Sequence, residues 1–113
     1  TTLDLCAGLV LQPDVMLANL NRTQGLIAAE QVMMALAPHI GRHHAHDLVA
    51  EACRKAVAAG STLAAVLAAD STVTKHLTSN EIAAAADPQA YTGLAGPGVD
   101  RVLAACAPGS ERR

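Results

Sequence analysis

The stretch that decides the fold is G-R-H-H-A-H-D-L-V-A-E-A-C-R-K-A-V-A-A-G, residues 41–60. Its apolar side chains recur at steps of three and four residues, the spacing that places them on one face of an α-helix. The apolar stripe consists of Ala45, Leu48, Val49, Ala52, Cys53, Ala56 and Val57. The polar side consists of Arg42, His43, His46, Asp47, Glu51, Arg54 and Lys55. This pattern predicts an amphipathic helix over 41–59, ended by Gly60 as its C-terminal cap.

Upstream of this helix the sequence predicts three more. Apolar spacing over 1–11 indicates a helix, and a proline opens a second one over 13–20, because a first-turn proline loses no helical hydrogen bond. Residues 24–37 follow Thr23, whose hydroxyl can cap them, and they are apolar nearly all round. Such a helix is normally central in a fold. Pro38 is expected to end it, since proline cannot continue the hydrogen-bond ladder.

Downstream, cap residues mark two further helices. Ser61 or Thr62 can cap a short helix that runs to Leu67. Thr78 and Glu81 have the spacing of a capping box, in which each residue bonds the backbone of the other, and they open a helix to about residue 86.

The C-terminal part alternates turns with one more helix. Asp87-Pro88 stops the preceding helix and starts a turn that carries Tyr91. The glycine-rich stretch 93–98 predicts a loop, and a final helix is expected over 99–105. Residues 108–113 are polar and are expected to be loose.

The composition supports helices throughout. Hydrophobic residues make up 51% of the 113, but Phe and Trp are absent and Tyr91 is the only aromatic residue. Alanine has the highest helix propensity, whereas the aromatic and β-branched residues that suit a sheet are scarce. We therefore expect an all-α fold, a compact multi-helix domain of six or seven short helices.

Charge and cysteine content exclude several classes of protein. A net charge of −2 offers no basic field for nucleic acid. The longest apolar run, 26–38, is well short of the roughly 20 residues that cross a bilayer. Cys6, Cys53 and Cys106 are odd in number and isolated, which argues against a disulfide framework and favours a reducing cytoplasm. Each lies among Ala and Leu, so each is expected to be a small buried apolar residue.

The histidine group is the most visible candidate for chemistry. It consists of His39, His43, His44 and His46 with Asp47, all potential metal ligands. On a helix only His43 and Asp47 would share a face, because they are four residues apart. His44 and His46 would point elsewhere, and His39 precedes the helix. The spacing favours a solvated helix face, while metal binding and a pH-dependent role stay open as alternatives.

Other candidates are weaker. The serines at predicted turns, Ser61, Ser71, Ser79 and Ser110, lack a nucleophile-elbow motif and are expected to be caps. Glu30 lies inside the apolar helix 24–37, where it is either a polar edge, a paired buried carboxylate or an active-site wall. We find no self-contained active site, and we expect no catalytic, cofactor-binding or metal-binding residue in this chain.

The start of the chain indicates an incomplete protein. Residue 1 is Thr instead of Met, and no cap precedes the helix over 1–11, so that helix is expected to be the end of a longer one. We therefore expect three parts: 1–11 as the end of a truncated helix from a preceding domain, 12–107 as a C-terminal helical domain, and 108–113 as a tail.

An ordered series of motifs carries a resemblance to a known family. The motifs are Asn19-Leu20-x-x-Thr23-x-Gly25-Leu26-x-x-Ala29-Glu30-x-Val32, Gly41-Arg42-x-x-Ala45-His46-x-Leu48-Val49, Asp87-Pro88-x-x-Tyr91-x-Gly93 and Val99-Asp100-Arg101. In this order and spacing the chain resembles the C-terminal domain of the fumarase/aspartase superfamily. Within it, the chain most resembles the 3-carboxy-cis,cis-muconate cycloisomerase family.

The resemblance implies a larger enzyme, a cytoplasmic helical homotetramer whose central bundle joins three subunits at each active site. It implies lactone formation in aromatic (protocatechuate) catabolism, without metal or organic cofactor. The family's catalytic loop signature, G-S-S-x-M-P-x-K-x-N-P, does not occur in these 113 residues, so no catalytic residue can be carried over. The expected partner is the remainder of the parent enzyme, with neither nucleic acid nor membrane.

Two alternatives remain. The same domain could belong to adenylosuccinate lyase or to another lyase that releases fumarate, because the substrate-binding residues of that branch would lie outside this chain. From a different class, the chain could be a standalone helical interaction or metal-binding module that uses the cluster from His39 to Asp47.

Overall fold

The computed structural model describes residues 1–107, and the predicted tail 108–113, with Ser110, lies outside them. The described chain is all-α, as predicted. Its elements are α1 (Thr2–Ala7), α2 (Pro13–Asn21), a 3₁₀ turn (Leu26–Ala28), α3 (Ala29–Ile40), α4 (Arg42–Ala59), α5 (Leu63–Ala68), α6 (Ser71–Thr74), α7 (Ser79–Ala85) and α8 (Ala95–Cys106). Within residues 1–107 this makes eight α-helices where six or seven were expected. The unpredicted one is α6, which Asp70 caps by accepting from the backbone N–H of Thr72 at 2.8 Å.

Helix α4 matches its prediction most closely. Ala45, Val49, Ala52 and Ala56 are all buried, and Gly60 ends the helix in the left-handed conformation at φ +60°. Val57 was expected on the apolar stripe, but it is 66% exposed, so the prediction is wrong for this residue.

Helix α3 starts and ends later than predicted. Gln24 and Gly25 both have positive φ, at 51° and 88°, which interrupts any helix through them. A 3₁₀ turn follows, and its Ile27 N–H donates to the Thr23 hydroxyl at 3.4 Å. The expectation that Pro38 ends the helix is wrong, since α3 continues to Ile40. The proline removes only its own N–H, and the final turn still closes where the Gly41 N–H bonds the Ala37 carbonyl at 2.9 Å.

The core lies between α3, α4, α5 and α7, and aliphatic side chains fill it. Its fully buried large residues are Leu36, Leu63, Leu67, Ile82, Val32 and Val73. Helix α3 packs against both α4 and α7, so it is central as predicted. It is not covered all round, however, because Met34 is 49% exposed.

Cap residues define the later helices. Thr62, not Ser61, caps α5 by accepting from the Ala65 N–H at 3.2 Å. The capping box of Thr78 and Glu81 is confirmed: the Thr78 N–H donates to the Glu81 carboxylate at 2.7 Å, and the Glu81 N–H donates back to the Thr78 hydroxyl at 3.3 Å.

The terminal helices differ from expectation at their ends. Helix α1 is capped after all, because the Thr1 hydroxyl accepts from the Asp4 N–H, and it ends at Ala7 instead of residue 11. Helix α8 begins at Ala95 and takes in most of the predicted loop 93–98. Its proline stands in the first turn, where the missing N–H leaves no helical bond unmade. The Gly98 N–H already bonds the Leu94 carbonyl at 2.9 Å.

These terminal helices extend away from the core. No residue of α1, α2 or α8 is buried. The radius of gyration is 18.9 Å, against about 13 Å for a compact domain of this length. The compact part is therefore the body from α3 to α7. None of the described helices combines the length and hydropathy that crossing a membrane requires.

Candidate functional site

A cleft between α3 and α4 is the candidate binding site of the described chain. One side comes from Ala29, Glu30 and Met33, whose spacing places them on a single face of α3. The other side comes from α4 at positions three and four residues apart, and consists of His46, Val49, Ala50 and Cys53. We call this space the apolar chamber, and its volume is about 360 Å³.

A second space adjoins the apolar chamber toward the start of α4. It shares Glu30, Met33 and His46 with that chamber and adds Met34, Arg42 and His43. We call it the basic chamber, and its volume is about 430 Å³. The Arg42 Nη2 lies 3.7 Å from the Met34 Sδ, so the sulfur contact holds the guanidinium over α3. No ion pair of Arg42 occurs within residues 1–107.

Glu30 stands on the wall shared by the two chambers. It is exposed, so the possibility of a paired buried carboxylate is wrong. Glu30 lies at the rim of the cleft, which agrees with a polar edge, and its role as an active-site wall stays a prediction. Sequence reasoning had no means of finding its partners across the cleft, since they lie on a different helix.

The histidines of α4 form a solvated helix face, as the spacing favoured, since His43, His44 and His46 are all exposed. His39 lies in the last turn of α3 and stacks on His76, with ring centroids 5.4 Å apart and an interplanar angle of 24°. His46 contacts Asp47, with 3.4 Å between Nδ1 and Oδ1, and both side chains are exposed. In residues 1–107 no three His, Cys, Asp or Glu side chains lie close enough together to hold a metal ion. Local sequence gives no signal for the His39–His76 pair, because the two residues are far apart in the chain.

The cysteines and serines also differ from their expected roles. Cys6 and Cys106 are exposed, in keeping with the absence of any buried residue in α1 and α8, so the prediction that they are buried is wrong. Cys53 is half-buried in the apolar chamber, and this burial raises the pKa of its thiol. Ser71 and Ser79 occupy the first position of α6 and α7, while the caps themselves are Asp70 and Thr78, one residue earlier.

Two of the sequence motifs meet at the end of the body nearest α2. The backbone N–H of Leu63 donates to the Gln24 carbonyl at 3.0 Å. A Cβ added to Gly25 would lie 3.4 Å from the Ala86 carbonyl oxygen, just before the Asp87-Pro88 turn. The Asp87 carboxylate accepts from the Gln89 N–H at 2.9 Å and so fixes that turn. These motif residues therefore hold backbone segments together, which is a structural role.

The body from α3 to α7 and its motifs match a known protein family. A family model described as the adenylosuccinate lyase C-terminus matches residues 25–102. A 3-carboxy-cis,cis-muconate cycloisomerase from Bradyrhizobium diazoefficiens is 46% identical over 88% of this chain and 22% of its own length.

Two solved structures share the fold. The crystal structure of a fumarate lyase from Mesorhizobium sp. BNC1 has a TM-score of 0.82 and 47% identity, over 86% of this chain and 23% of that one. The structure of the β-carboxy-cis,cis-muconate cycloisomerase from Acinetobacter calcoaceticus sp. ADP1 has a TM-score of 0.82 and 37% identity, over 91% of this chain and 24% of that one. The chain thus spans less than a quarter of the length of these relatives.

Proposed function

The chain belongs to the adenylosuccinate lyase C-terminal family of the fumarase/aspartase superfamily, and from this premise we propose that it is the C-terminal domain of a 3-carboxy-cis,cis-muconate cycloisomerase. The observation that carries the proposal is the 46% identity with a cycloisomerase over 88% of the chain. The shared fold with a second cycloisomerase, at a TM-score of 0.82, supports it.

The parent enzyme would close 3-carboxy-cis,cis-muconate to a lactone in aromatic (protocatechuate) catabolism. It would be a cytoplasmic homotetramer that works without metal or organic cofactor, as the superfamily resemblance implies. Its catalytic residues would lie in the remainder of the enzyme, and the partition at residues 11 and 107 stays a prediction. This domain would contribute to assembly, not to chemistry.

The terminal helices carry the proposed contact with the remainder of the parent. Apolar side chains at both ends of the chain are more than half exposed. They include Leu3 on α1, Val10 between α1 and α2, Met16 on α2, and Val102 and Leu103 on α8. Burying an exposed aliphatic side chain stabilises a contact by roughly 1.5–3 kcal/mol. We propose that α1 and α2 join the end of the central helix bundle of the parent enzyme.

A fumarate-releasing lyase is the second candidate. It is favoured by the 47% identity with a fumarate lyase and by the description of the matching family model, which names adenylosuccinate lyase. The third possibility, a standalone metal-binding module, lacks a converging set of ligands within residues 1–107.

Substrate tests on the longest protein that contains this chain separate these candidates. The purified enzyme is incubated with 3-carboxy-cis,cis-muconate and, separately, with adenylosuccinate, and both reactions are followed by ultraviolet absorbance. The proposal predicts that only carboxymuconate is consumed. Cleavage of adenylosuccinate would favour the second candidate instead. Tight, stoichiometric zinc binding that His43→Ala abolishes would favour the third.

A further inference from the structure

The α3–α4 cleft combines an apolar chamber with a cationic neighbour, and neither is explained by the proposed role in assembly. We propose that this cleft binds a small amphipathic monocarboxylate, with its apolar body in the apolar chamber and its carboxylate beside Arg42 in the basic chamber. The inference does not rest on the proposed enzyme activity, because every residue that it uses lies within 29–53.

The apolar chamber suits a compact hydrocarbon group. Its volume of about 360 Å³ falls within the range of small-molecule sites, roughly 300–1,000 Å³. Ala29, Met33, Val49 and Ala50 form most of its surface, and methionine adapts its shape to different ligands. The Cys53 thiol stays protonated at neutral pH, because burial raises its pKa, so it adds no charge to this wall.

The basic chamber supplies the charge that a carboxylate needs. Arg42 carries the only permanent positive charge among the residues that line the two chambers. Its guanidinium presents several N–H donors, which match the geometry of a carboxylate. Since no carboxylate of residues 1–107 pairs with Arg42, these donors are available to a ligand. His43 and His46 add further hydrogen-bonding groups on the same side.

Glu30 restricts the ligand to a single negative charge. It is the only acidic residue lining either chamber, and it stands on their shared wall. A second carboxylate on the ligand would lie close to this side chain and be repelled. The cleft therefore discriminates against polycarboxylates, the class to which carboxymuconate belongs.

The test uses three compact probes of equal ring size: cyclohexanecarboxylate, cyclohexanol and cyclohexylamine. Each is titrated into the 113-residue chain, and binding is followed by NMR of the methionine methyl groups. Met33 and Met34 line the cleft, whereas Met16 lies on α2 and serves as an internal control for nonspecific binding. We expect saturable shifts of Met33 and Met34 with one common Kd, no shift of Met16, and the tightest binding for the carboxylate.

Two charge variants are expected to move the Kd of cyclohexanecarboxylate in opposite directions. Arg42→Gln should weaken its binding by about two- to fivefold, the size typical of an exposed charge pair, and leave cyclohexanol unaffected. Glu30→Gln should tighten it by a similar factor. The matched control is Lys55→Gln, which removes one positive charge from the same helix outside both chambers and should change nothing.

Three results would overturn the proposal. The first is that Met33 and Met34 show no saturable shifts. The second is that cyclohexylamine binds as tightly as the carboxylate. The third is that Arg42→Gln and Lys55→Gln change the Kd of cyclohexanecarboxylate equally. Both Arg42 and Glu30 are exposed, so their variants should fold, and circular dichroism verifies this. None of these results bears on the substrate assay of the parent enzyme, so the two proposals can fail separately.

Discussion

At the scale of single residues, Gly25 determines how the chain passes from α2 into the helical body. Its φ of +88° lies in the region that L-residues with a side chain avoid. A Cβ at this position would also meet the Ala86 carbonyl oxygen at 3.4 Å and the Leu63 Cβ at 3.7 Å. Both distances are ordinary van der Waals contacts, so it is the left-handed conformation that requires the glycine.

We predict that Gly25→Ala lowers the free energy of unfolding by about 1–2 kcal/mol, the usual cost of a left-handed conformation for an L-residue. Urea unfolding of the chain, followed by circular dichroism, measures the change. Gly98→Ala is the matched control, since Gly98 lies in α8 with open space around it. It should be neutral or stabilise by up to about 1 kcal/mol. Equal losses in both variants would contradict this role of Gly25.

Glu81 makes stability depend on pH through its capping box. Hydrogen bonds from Thr78 hold the pKa of Glu81 below its ordinary value of 4.5, and the bond from the backbone N–H has a larger effect than the bond from the hydroxyl. The electrostatic interaction with His39 lowers this pKa further. Folding thus favours the carboxylate. Its contribution to stability is present above pH 4.5 and is lost as the pH falls through the lower pKa of the folded state.

We predict that Glu81→Gln loses stability relative to the native chain at neutral pH, and that this difference shrinks as the pH falls below 4.5. Glutamine can still serve in a capping box, so the helix itself should persist. The midpoints of urea unfolding of both proteins, measured from neutral pH to below pH 4.5, give this difference in stability. Ser79→Ala, in the same turn, provides a control without a titrating group, and a Glu81→Gln difference that is constant with pH would refute the assignment.

At the scale of elements, the pairing of α3 with α4 depends on small side chains. Ala45 and Ala52 are buried on α4 and belong to the same core cluster as Val32 and Leu36 of α3. Alanine lets two helices approach closely, and Tyr91, the one aromatic residue of the chain, is half exposed and lies outside the core.

Enlarging one of these alanines should therefore be costly. We predict that Ala52→Leu destabilises the chain by about 1–3 kcal/mol, because a packed core accepts extra methylene groups only with strain. Ala58→Leu introduces the same side chain at an exposed position of the same helix and should be nearly neutral. The melting temperatures of both variants test this prediction. Equal melting temperatures would show that the α3–α4 packing is loose.

Periodic elements could be predicted from the sequence, whereas boundaries set by distant contacts could not. Helix α4 and the capping box of α7 follow from local spacing alone. The start of α3 does not, because the positive φ of Gln24 and Gly25 accompanies a hydrogen bond to Leu63, far along the chain. For the candidate site, Glu30 could be singled out early, but its partners on α4 emerge only from tertiary packing.

At the scale of the whole molecule, the terminal helices differ from the body in the exposure of their apolar side chains. Their apolar side chains are exposed, and they account for the excess of the radius of gyration, 18.9 Å, over the value for a compact domain. Exposed aliphatic surface of this extent is typical of a protein-protein contact. We therefore assign these helices to contacts with the remainder of the proposed parent enzyme.

This assignment predicts different effects in two settings. Replacing both Val102 and Leu103 with serine should leave the unfolding free energy of the 113-residue chain within about 0.5 kcal/mol, because neither side chain is buried. In the longer parent protein the same double variant should lower the melting temperature. Asp100→Ser with Arg101→Ser, on the same helix, serves as the control and should be neutral in both. An unchanged melting temperature in the parent would contradict the proposed contact.

The most direct test of the central claim is a chimera. The C-terminal region of the Bradyrhizobium diazoefficiens cycloisomerase that aligns with this chain is replaced by these 113 residues, and the purified protein is assayed for conversion of 3-carboxy-cis,cis-muconate. If this chain is the C-terminal domain of such an enzyme, the chimera will fold and convert the substrate. A folded chimera with the assembly state of the unmodified enzyme but without activity would contradict the claim.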